Sequence, residues 1–156
     1  MPVYKTSQLV KATAAECWNF FSNPENLSKI TPPEMNFRIL FPDPVPEMYQ
    51  GMIIQYKVSP LFNLPMEWIT EITHVEKFRY FVDNQLHGPY KLWHHQHLFE
   101  ETDAGILMTD IVTYKLPFGA PGEWIAGKFV AKKVEEIFNY RQKVIEEVFN
   151  KSSWKE

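Results

Sequence analysis

The sequence has almost no cysteine, since Cys17 is the single one among 156 residues. One cysteine cannot form an internal disulfide, so packing alone must stabilise the fold, and a reducing compartment is expected. Cys17 stands beside Trp18 and close to Phe20 and Phe21. Nothing near it in the sequence would lower the pKa of a thiol. We therefore predict a buried, reduced side chain rather than a nucleophile.

Other features that would announce a function are also missing. The formal net charge is −3 and no basic cluster stands out, so nucleic acid is not expected as a partner. No apolar run reaches membrane-spanning length, and the first residues do not resemble a signal peptide. These two observations predict a soluble cytoplasmic protein without a membrane span. The sequence also has no nucleophile elbow, phosphate-binding loop or dinucleotide fingerprint, which disfavours hydrolase and nucleotide chemistry.

Aromatic residues, in contrast, are abundant: they make up 15% of the chain, and 12 of them are phenylalanine. A chain of this length is expected to form one domain, residues 1–156, that buries roughly 70% of its unfolded surface. Such a domain needs neither a metal nor a disulfide to fold. The aromatic share favours a large core or a lined cavity.

The strongest periodic pattern predicts a long helix over residues 121–150. At about 1.5 Å rise per residue it spans roughly 45 Å, enough to cross a small domain. Its apolar stripe, spaced at about 100° per residue, consists of Val130, Val134, Ile137, Val144, Ile145 and Val148. Arg141 lies within this stripe, so its charge needs a partner inside the fold or must extend to water. We predict an inward partner: Asp110, Asp83, a bound anion or an ordered water.

The preceding chain alternates between short helices and strands. A capping box at Thr13-Ala-Ala-Glu16 begins a helix over residues 14–22, and a second short helix covers 25–30. Strands are predicted over residues 3–10, 37–41, 52–59, 66–75, 78–86, 90–100 and 105–116, with proline-bounded connections at 42–46 and 60–65. Successive hairpins imply an α+β fold in which one curved antiparallel sheet of six or seven strands wraps around the last helix.

Four short motifs support a family resemblance. They read Asp83-x-Gln85-x-x-Gly88-Pro89-Tyr90, Trp93-x-His95-x-His97-x-Phe99, Met108-Thr-Asp110 and Tyr114-x-Leu116-Pro117-Phe118-Gly119. In this combination the chain resembles the START-like helix-grip superfamily, and within it the bacterial ligand-binding SRPBCC group, relatives of polyketide cyclases and dehydratases. The resemblance implies a seven-stranded sheet that grips a C-terminal helix around a cavity. It implies no single activity, because the superfamily includes carriers, hormone-binding proteins and enzymes.

Strand alternation predicts which side chains face that cavity. On the strand over 78–86 the choice stays open, because Tyr80, Val82 and Leu86 form a competing apolar face. The predicted ligand-binding residues are Trp68, Phe81, Asp83, Gln85, Trp93, His95, His97, Phe99, Met108, Asp110, Val112, Tyr114, Val134, Ile137 and Arg141. An apolar wall with a few convergent polar groups is typical of a small-molecule site.

Several functions fit these residues. The first is binding of a hydrophobic small molecule, such as a lipid, polyketide-like or aromatic compound, with Arg141 meeting an acidic head group. The second is a cyclase or dehydratase that uses His95 or His97 with Asp110 as an acid–base pair. The third is a protein-interaction or regulatory module. Alternatively, Asp110 and Arg141 form only a buried ion pair, and the histidines only bond across the sheet.

A metal is a weaker interpretation of the same side chains. His95-x-His97 on one strand face can chelate a metal ion, with Asp110 as a third ligand. Cross-strand pairing explains the two histidines equally well, and no cysteine or glutamate motif accompanies them. We therefore expect no metal and no cofactor.

Overall fold

The computed structural model describes residues 1–40, 45–60 and 63–151. Two α-helices and three shorter helical turns flank a sheet. The helices are α1 (Ala14–Phe21) and α2 (Gly119–Ile145), with 3₁₀ turns at Pro24–Ser28 and Pro33–Met35 and a π-helical turn at Glu146–Asn150. The strands are β1 (Val3–Val10), β2 (Arg38–Ile39), β3 (Ile53–Val58), β4 (Met66–Glu76), β5 (Tyr80–His87), β6 (Leu92–Thr102) and β7 (Gly105–Lys115).

The seven strands form one antiparallel sheet in the order β1-β7-β6-β5-β4-β3-β2. Each strand from β2 to β7 pairs with its neighbour in sequence, and β1 closes the edge beside β7. The β6–β7 hairpin turns between Thr102 and Gly105. Gly105 has a φ of +133°, and a side chain there would meet the Val10 backbone, so the turn requires glycine. The predicted α+β helix-grip architecture is confirmed.

Some predicted boundaries were wrong. The strand predicted over 37–41 is reduced to Arg38–Ile39 among the described residues, and residue 41 lies outside them. The helix predicted over 25–30 is the 3₁₀ turn Pro24–Ser28, because Asn23 caps Glu25 N–H and Pro24 starts the turn. The proline-bounded connections predicted at 42–46 and 60–65 fall partly outside the described residues. No helix in the described ranges is long and apolar enough to cross a membrane.

Helix α2 carries most of the predicted apolar stripe, but its buried face is rotated slightly from the predicted one and includes Phe138. Val130, Val134, Phe138, Arg141 and Ile145 are buried, whereas Ile137 and Val144 are half-buried. Val148, the last member of the predicted stripe, is 44% exposed. It lies in the π-helical turn, where the wider i→i+5 spacing changes the rotation per residue. Periodicity at 100° therefore fails at this end of the helix.

The core has two main apolar clusters at different levels of α2. One lies under α1 and includes Trp18, Phe81, Phe99, Met108 and Ile145. The other lies between β7 and the middle of α2 and consists of Val112, Tyr114, Leu116, Val130, Val134 and Phe138. Along both β7 and α2 one polar residue separates the two clusters. The core therefore contains a polar layer between two apolar ones.

Candidate functional site

The polar layer consists of five side chains from four neighbouring elements: Asp83 on β5, His95 and His97 on β6, Asp110 on β7 and Arg141 on α2. Asp83 pairs with His95 across β5–β6, and His97 pairs with Asp110 across β6–β7. Residues two apart on a strand share a face, so both imidazoles point to the same side as both carboxylates. Strand register alone thus brings the four β residues together.

Each imidazole lies between the two carboxylates. His95 Nε2 is 2.8 Å from Asp110 Oδ1, and His97 Nε2 is 2.8 Å from Asp83 Oδ2. The remaining nitrogens face the other carboxylate: His95 Nδ1 is 3.5 Å from Asp83 Oδ2, and His97 Nδ1 is 3.2 Å from Asp110 Oδ1. The last contact is poorly directed, so His97 Nδ1 has no hydrogen-bond partner among the described residues. The ring centroids are 3.7 Å apart.

Arg141 enters this layer from the helix, as predicted. Its Nη1 lies 3.5 Å from Asp110 Oδ1, and its guanidinium carbon lies 5.6 Å and 5.7 Å from the ring centres of Phe21 and Phe138. Arg141 is only 6% exposed, and its Nε has no hydrogen-bond partner in the part of the chain that the structure describes. The guanidinium is therefore held by one carboxylate and two rings, with donor capacity left over.

Electrostatics in the layer favour ionised carboxylates. Burial by itself raises the pKa of Asp110, but Arg141 and the hydrogen bond from His95 hold that pKa well below its usual range. Burial also opposes ionisation of Asp83, and His97 with His95 lowers its pKa below the ordinary value. Burial, together with the neighbouring His97, lowers the pKa of His95. At neutral pH the layer thus holds two carboxylates, one guanidinium and a neutral His95.

A cavity of about 150 Å³ opens beside this layer. Eight of the predicted ligand-binding residues line it: Trp68, Phe81, Asp83, Trp93, His95, His97, Ile137 and Arg141. They come from β4, β5, β6 and α2, so the cavity lies between the sheet and the helix. The wall is mostly aromatic and aliphatic, and its charged and imidazole side chains belong to the polar layer.

The other seven predicted residues do not line this cavity. Asp110 lies behind the histidines, and Gln85 bonds to the Tyr90 backbone through both ends of its amide. The remaining five pack into the two apolar clusters: Phe99, Met108, Val112, Tyr114 and Val134. The four strand residues among them face the helix side of the sheet as predicted, but α1 and α2 lie directly on that part of the sheet and leave no space.

Several lining residues were not predicted. Ile54, Tyr56 and Val58 of β3 face the cavity, and their i, i+2, i+4 spacing carries the same alternation signal as β6. Leu27, in the 3₁₀ turn Pro24–Ser28, and Ile30, shortly after that turn, also line it. No periodic pattern marks these two, because a short 3₁₀ turn has no repeating face.

Three side chains of the site can also hold a metal. Asp83, His95 and His97 each offer one ligand atom, and these atoms lie within 4.8 Å of one another.

No protein-family model matches the sequence, and no curated protein matches it either. Solved structures with the same fold do exist. The protein TTHA0849 from Thermus thermophilus has a TM-score of 0.68 at 14% identity, covering 94% of this chain and 95% of that one. Ms6760 from Mycobacterium smegmatis has a TM-score of 0.64 at 17% identity, covering 92% and 90%.

A third similar structure is the di-domain ARO/CYC StfQ from the steffimycin biosynthetic pathway. Its TM-score is 0.64 at 9% identity, and the match covers 93% of this chain and 50% of StfQ. At such identities the three comparisons establish a shared fold.

Proposed function

We propose that this protein, which has the helix-grip fold, binds an aromatic small molecule bearing a hydroxyl or acidic group in the cavity between its sheet and α2. The observation that carries this proposal is the composition of the cavity wall. Aromatic and aliphatic side chains surround most of the space, and the charged and imidazole groups that border it come from the polar layer. Apolar walls supply affinity, and a few polar groups supply orientation.

The size of the cavity limits the ligand. At about 150 Å³ it is comparable to an engineered apolar cavity of about 150 Å³ that binds benzene. A space of this size accommodates one aromatic ring and is too small for a complete lipid. Among the three ligand classes expected from the sequence, aromatic compounds therefore fit best.

The charges around the cavity select the polar group of the ligand. Arg141 offers unused N–H donors, and Asp83, whose side chain is 14% exposed, offers acceptor oxygens at the same wall. The polar layer already holds two carboxylates and only one guanidinium, so a further isolated carboxylate meets net negative charge. A phenolic hydroxyl both donates and accepts. We therefore expect phenols to bind more tightly than carboxylic acids of equal size.

The acid–base alternative has less support from the geometry. All four imidazole nitrogens of His95 and His97 face carboxylate oxygens within 3.5 Å. A general base needs a nitrogen within reach of a substrate proton. The histidines therefore fit a structural or coordinating role better than proton abstraction by an imidazole.

The experiment is a titration with three probes of similar size: toluene, phenol and benzoate. Trp68 and Trp93 line the cavity, so intrinsic fluorescence reports binding, and calorimetry confirms the stoichiometry. The buffer contains a chelator, so that no metal contributes. We expect phenol to bind best, and Ile137→Phe, which fills the cavity from a half-buried helix position, to abolish binding of all three.

Arg141→Met tests the polar contact. A hydrogen bond to a charged group contributes about 1.5–3 kcal/mol, so the affinity for phenol should fall roughly 10–100-fold while that for toluene stays the same. Lys133→Met, on the exposed face of the same helix, is the matched control. Failure of all three probes to bind wild-type protein would exclude the proposal.

A further inference from the structure

The four contacts between His95, His97 and the two carboxylates cannot all be hydrogen bonds if both imidazoles are neutral. A carboxylate only accepts, and a neutral imidazole has one N–H and one lone pair. Two of the four contacts then place a nitrogen lone pair against a carboxylate oxygen. A cation placed between such a lone pair and the carboxylate oxygen would remove this repulsion.

The nitrogens divide according to the carboxylate they face. His95 Nδ1 and His97 Nε2 lie 3.5 Å and 2.8 Å from Asp83 Oδ2. His95 Nε2 and His97 Nδ1 lie 2.8 Å and 3.2 Å from Asp110 Oδ1. Three potential ligand atoms thus surround one point on the Asp83 side, and two potential N–H donors converge on a single oxygen on the Asp110 side.

We propose that Asp83, His95 and His97 form a binding site for a divalent transition-metal ion of the zinc type, open to the cavity. The ligand atoms are Asp83 Oδ2, His95 Nδ1 and His97 Nε2. Both lone pairs then face the cation, and both remaining N–H groups face Asp110 Oδ1. With this assignment, no nitrogen lone pair of the two rings faces a carboxylate oxygen.

The distances are compatible with such a site. Zinc bonds of about 2.0–2.2 Å in tetrahedral geometry place ligand atoms about 3.3–3.6 Å apart. The 3.5 Å from Asp83 Oδ2 to His95 Nδ1 lies within that range, and the 2.8 Å to His97 Nε2 would lengthen on binding the metal. All three residues line the cavity, whereas Asp110 lies behind them. The fourth position of the metal therefore opens to the cavity, and two histidines with one carboxylate and an open position form a known type of zinc site.

Asp110 and Arg141 complete the site from behind. Ligating histidines usually donate their other N–H to a carboxylate, which fixes their tautomer, and Asp110 occupies that place for both rings. Arg141 lies 3.5 Å from the same oxygen. The metal and the guanidinium together exceed the two carboxylates by one positive charge, so the open position favours an anionic or hydroxyl oxygen.

On sequence alone the metal was the weaker interpretation, with Asp110 as the expected third ligand. The structure places Asp83 there instead and gives Asp110 the supporting role. The metal site does not depend on the proposed aromatic ligand, because its three ligands and their support come from the chain itself.

The test uses tag-free protein that has been stripped with a chelator and dialysed. Zn²⁺ is titrated by calorimetry, and Co²⁺ by visible absorption, where a four-coordinate site gives intense ligand-field bands and a six-coordinate one gives weak bands. We expect one ion per chain and the four-coordinate spectrum. Absence of Zn²⁺ binding by the wild type, or a six-coordinate spectrum, would overturn the proposal without any variant.

The variants separate ligands from their surroundings. His97→Phe keeps the stacking on Phe81, whose ring centre is 4.0 Å away, and Asp83→Asn keeps the shape of the side chain. Both should lose more affinity than Asp110→Asn, for which a loss of roughly 10–100-fold is expected of a supporting residue. His94→Ala, on the opposite face of β6, is the matched control and should bind like the wild type. Unchanged Zn²⁺ affinity in folded His97→Phe and Asp83→Asn would contradict the assigned ligands.

Discussion

Arg141 supplies the only permanent positive charge in the polar layer, as far as the described residues show. It is buried within an otherwise apolar helix stripe, where an unpaired guanidinium would be strongly unfavourable. Its contact with Asp110 is long at 3.5 Å, so its stabilisation comes from the field of the carboxylates and from the two aromatic rings. Arg141 in turn lowers the pKa of Asp110 and so keeps that carboxyl group ionised.

Replacing Arg141 with methionine should destabilise the ligand-free protein. The change keeps much of the side-chain volume but leaves Asp110 buried with its hydrogen bond from His95 alone. Removing one partner of a buried pair costs about 3–5 kcal/mol, and the retained hydrogen bond places the expected loss near the lower value. Urea unfolding at pH 7.5 in the presence of a chelator measures it.

The double variant Arg141→Met with Asp110→Asn should be less destabilised than the sum of the two single variants, because no uncompensated charge remains. Lys133→Met removes an exposed helix pair with Glu136 and should change the free energy of unfolding by less than about 1 kcal/mol. Strict additivity of the two buried substitutions would show that Arg141 and Asp110 do not act as a pair.

At the scale of elements, two of the three glycines in α2, Gly122 and Gly127, have opposite surroundings. Gly127 lies in the helix interior, and a Cβ added there would meet no atom within 4 Å. Gly122 lies in the first turns, where an added Cβ would press against the carbonyl oxygen of Pro117. The close approach of this turn to the preceding chain therefore requires glycine at 122 and not at 127.

Gly127→Ala should accordingly stabilise the protein by about 0.5–1 kcal/mol, because alanine has the higher helix propensity. Gly122→Ala should destabilise it, since the helix start must move to relieve the contact. Thermal and urea unfolding of the matched pair give both signs. A shift in the same direction for both variants would mean that the contact of Gly122 with Pro117 does not restrict the start of α2.

At the scale of the whole molecule, the core contains several acidic groups whose pKa is raised by burial. These groups stay neutral at pH values at which they ionise in the unfolded chain. Burial raises the pKa of the Cys17 thiol to about 12. Burial also raises the pKa of Tyr56 and of Tyr90. In the unfolded chain these groups ionise at their ordinary pKa values, near pH 8.5 for cysteine and about 10 for tyrosine.

The protein should therefore lose stability at alkaline pH. A pKa that is raised on folding contributes stability that is complete below the unfolded value and is lost as pH rises towards the folded value. For Cys17 that window runs from roughly pH 8.5 to about 12, with a slope of about 1.4 kcal/mol per pH unit.

Urea unfolding between about pH 9 and 11, under reducing conditions, tests this window. In Cys17→Ala the free energy of unfolding should fall less steeply over the same pH range, by about 1.4 kcal/mol per pH unit. The loss of core packing in the variant lowers the free energy at every pH and does not change this slope. Equal slopes in both proteins would show that the thiol is accessible to water in the native state.

The sequence alone was sufficient for the features that depend on local periodicity. Alternation on β6 and β7 predicted that His95, His97 and Asp110 point inward, and the helix period predicted the same for Arg141. The capping box at the start of α1 is also present, with Thr13 and Glu16 bonded reciprocally. These features follow from the geometry of one element at a time, so no knowledge of its neighbours was needed.

Only the tertiary structure decided which inward side chains border empty space and which are packed. Phe99, Met108 and Tyr114 have the same alternation as the lining residues, but α1 and α2 cover them. The register of β5 against β6 brings Asp83, rather than Asp110, to the cavity side of the histidines. Both outcomes depend on how separate elements pack against one another. The periodicity within one strand or helix carries no information about its distance from, or its register with, another element.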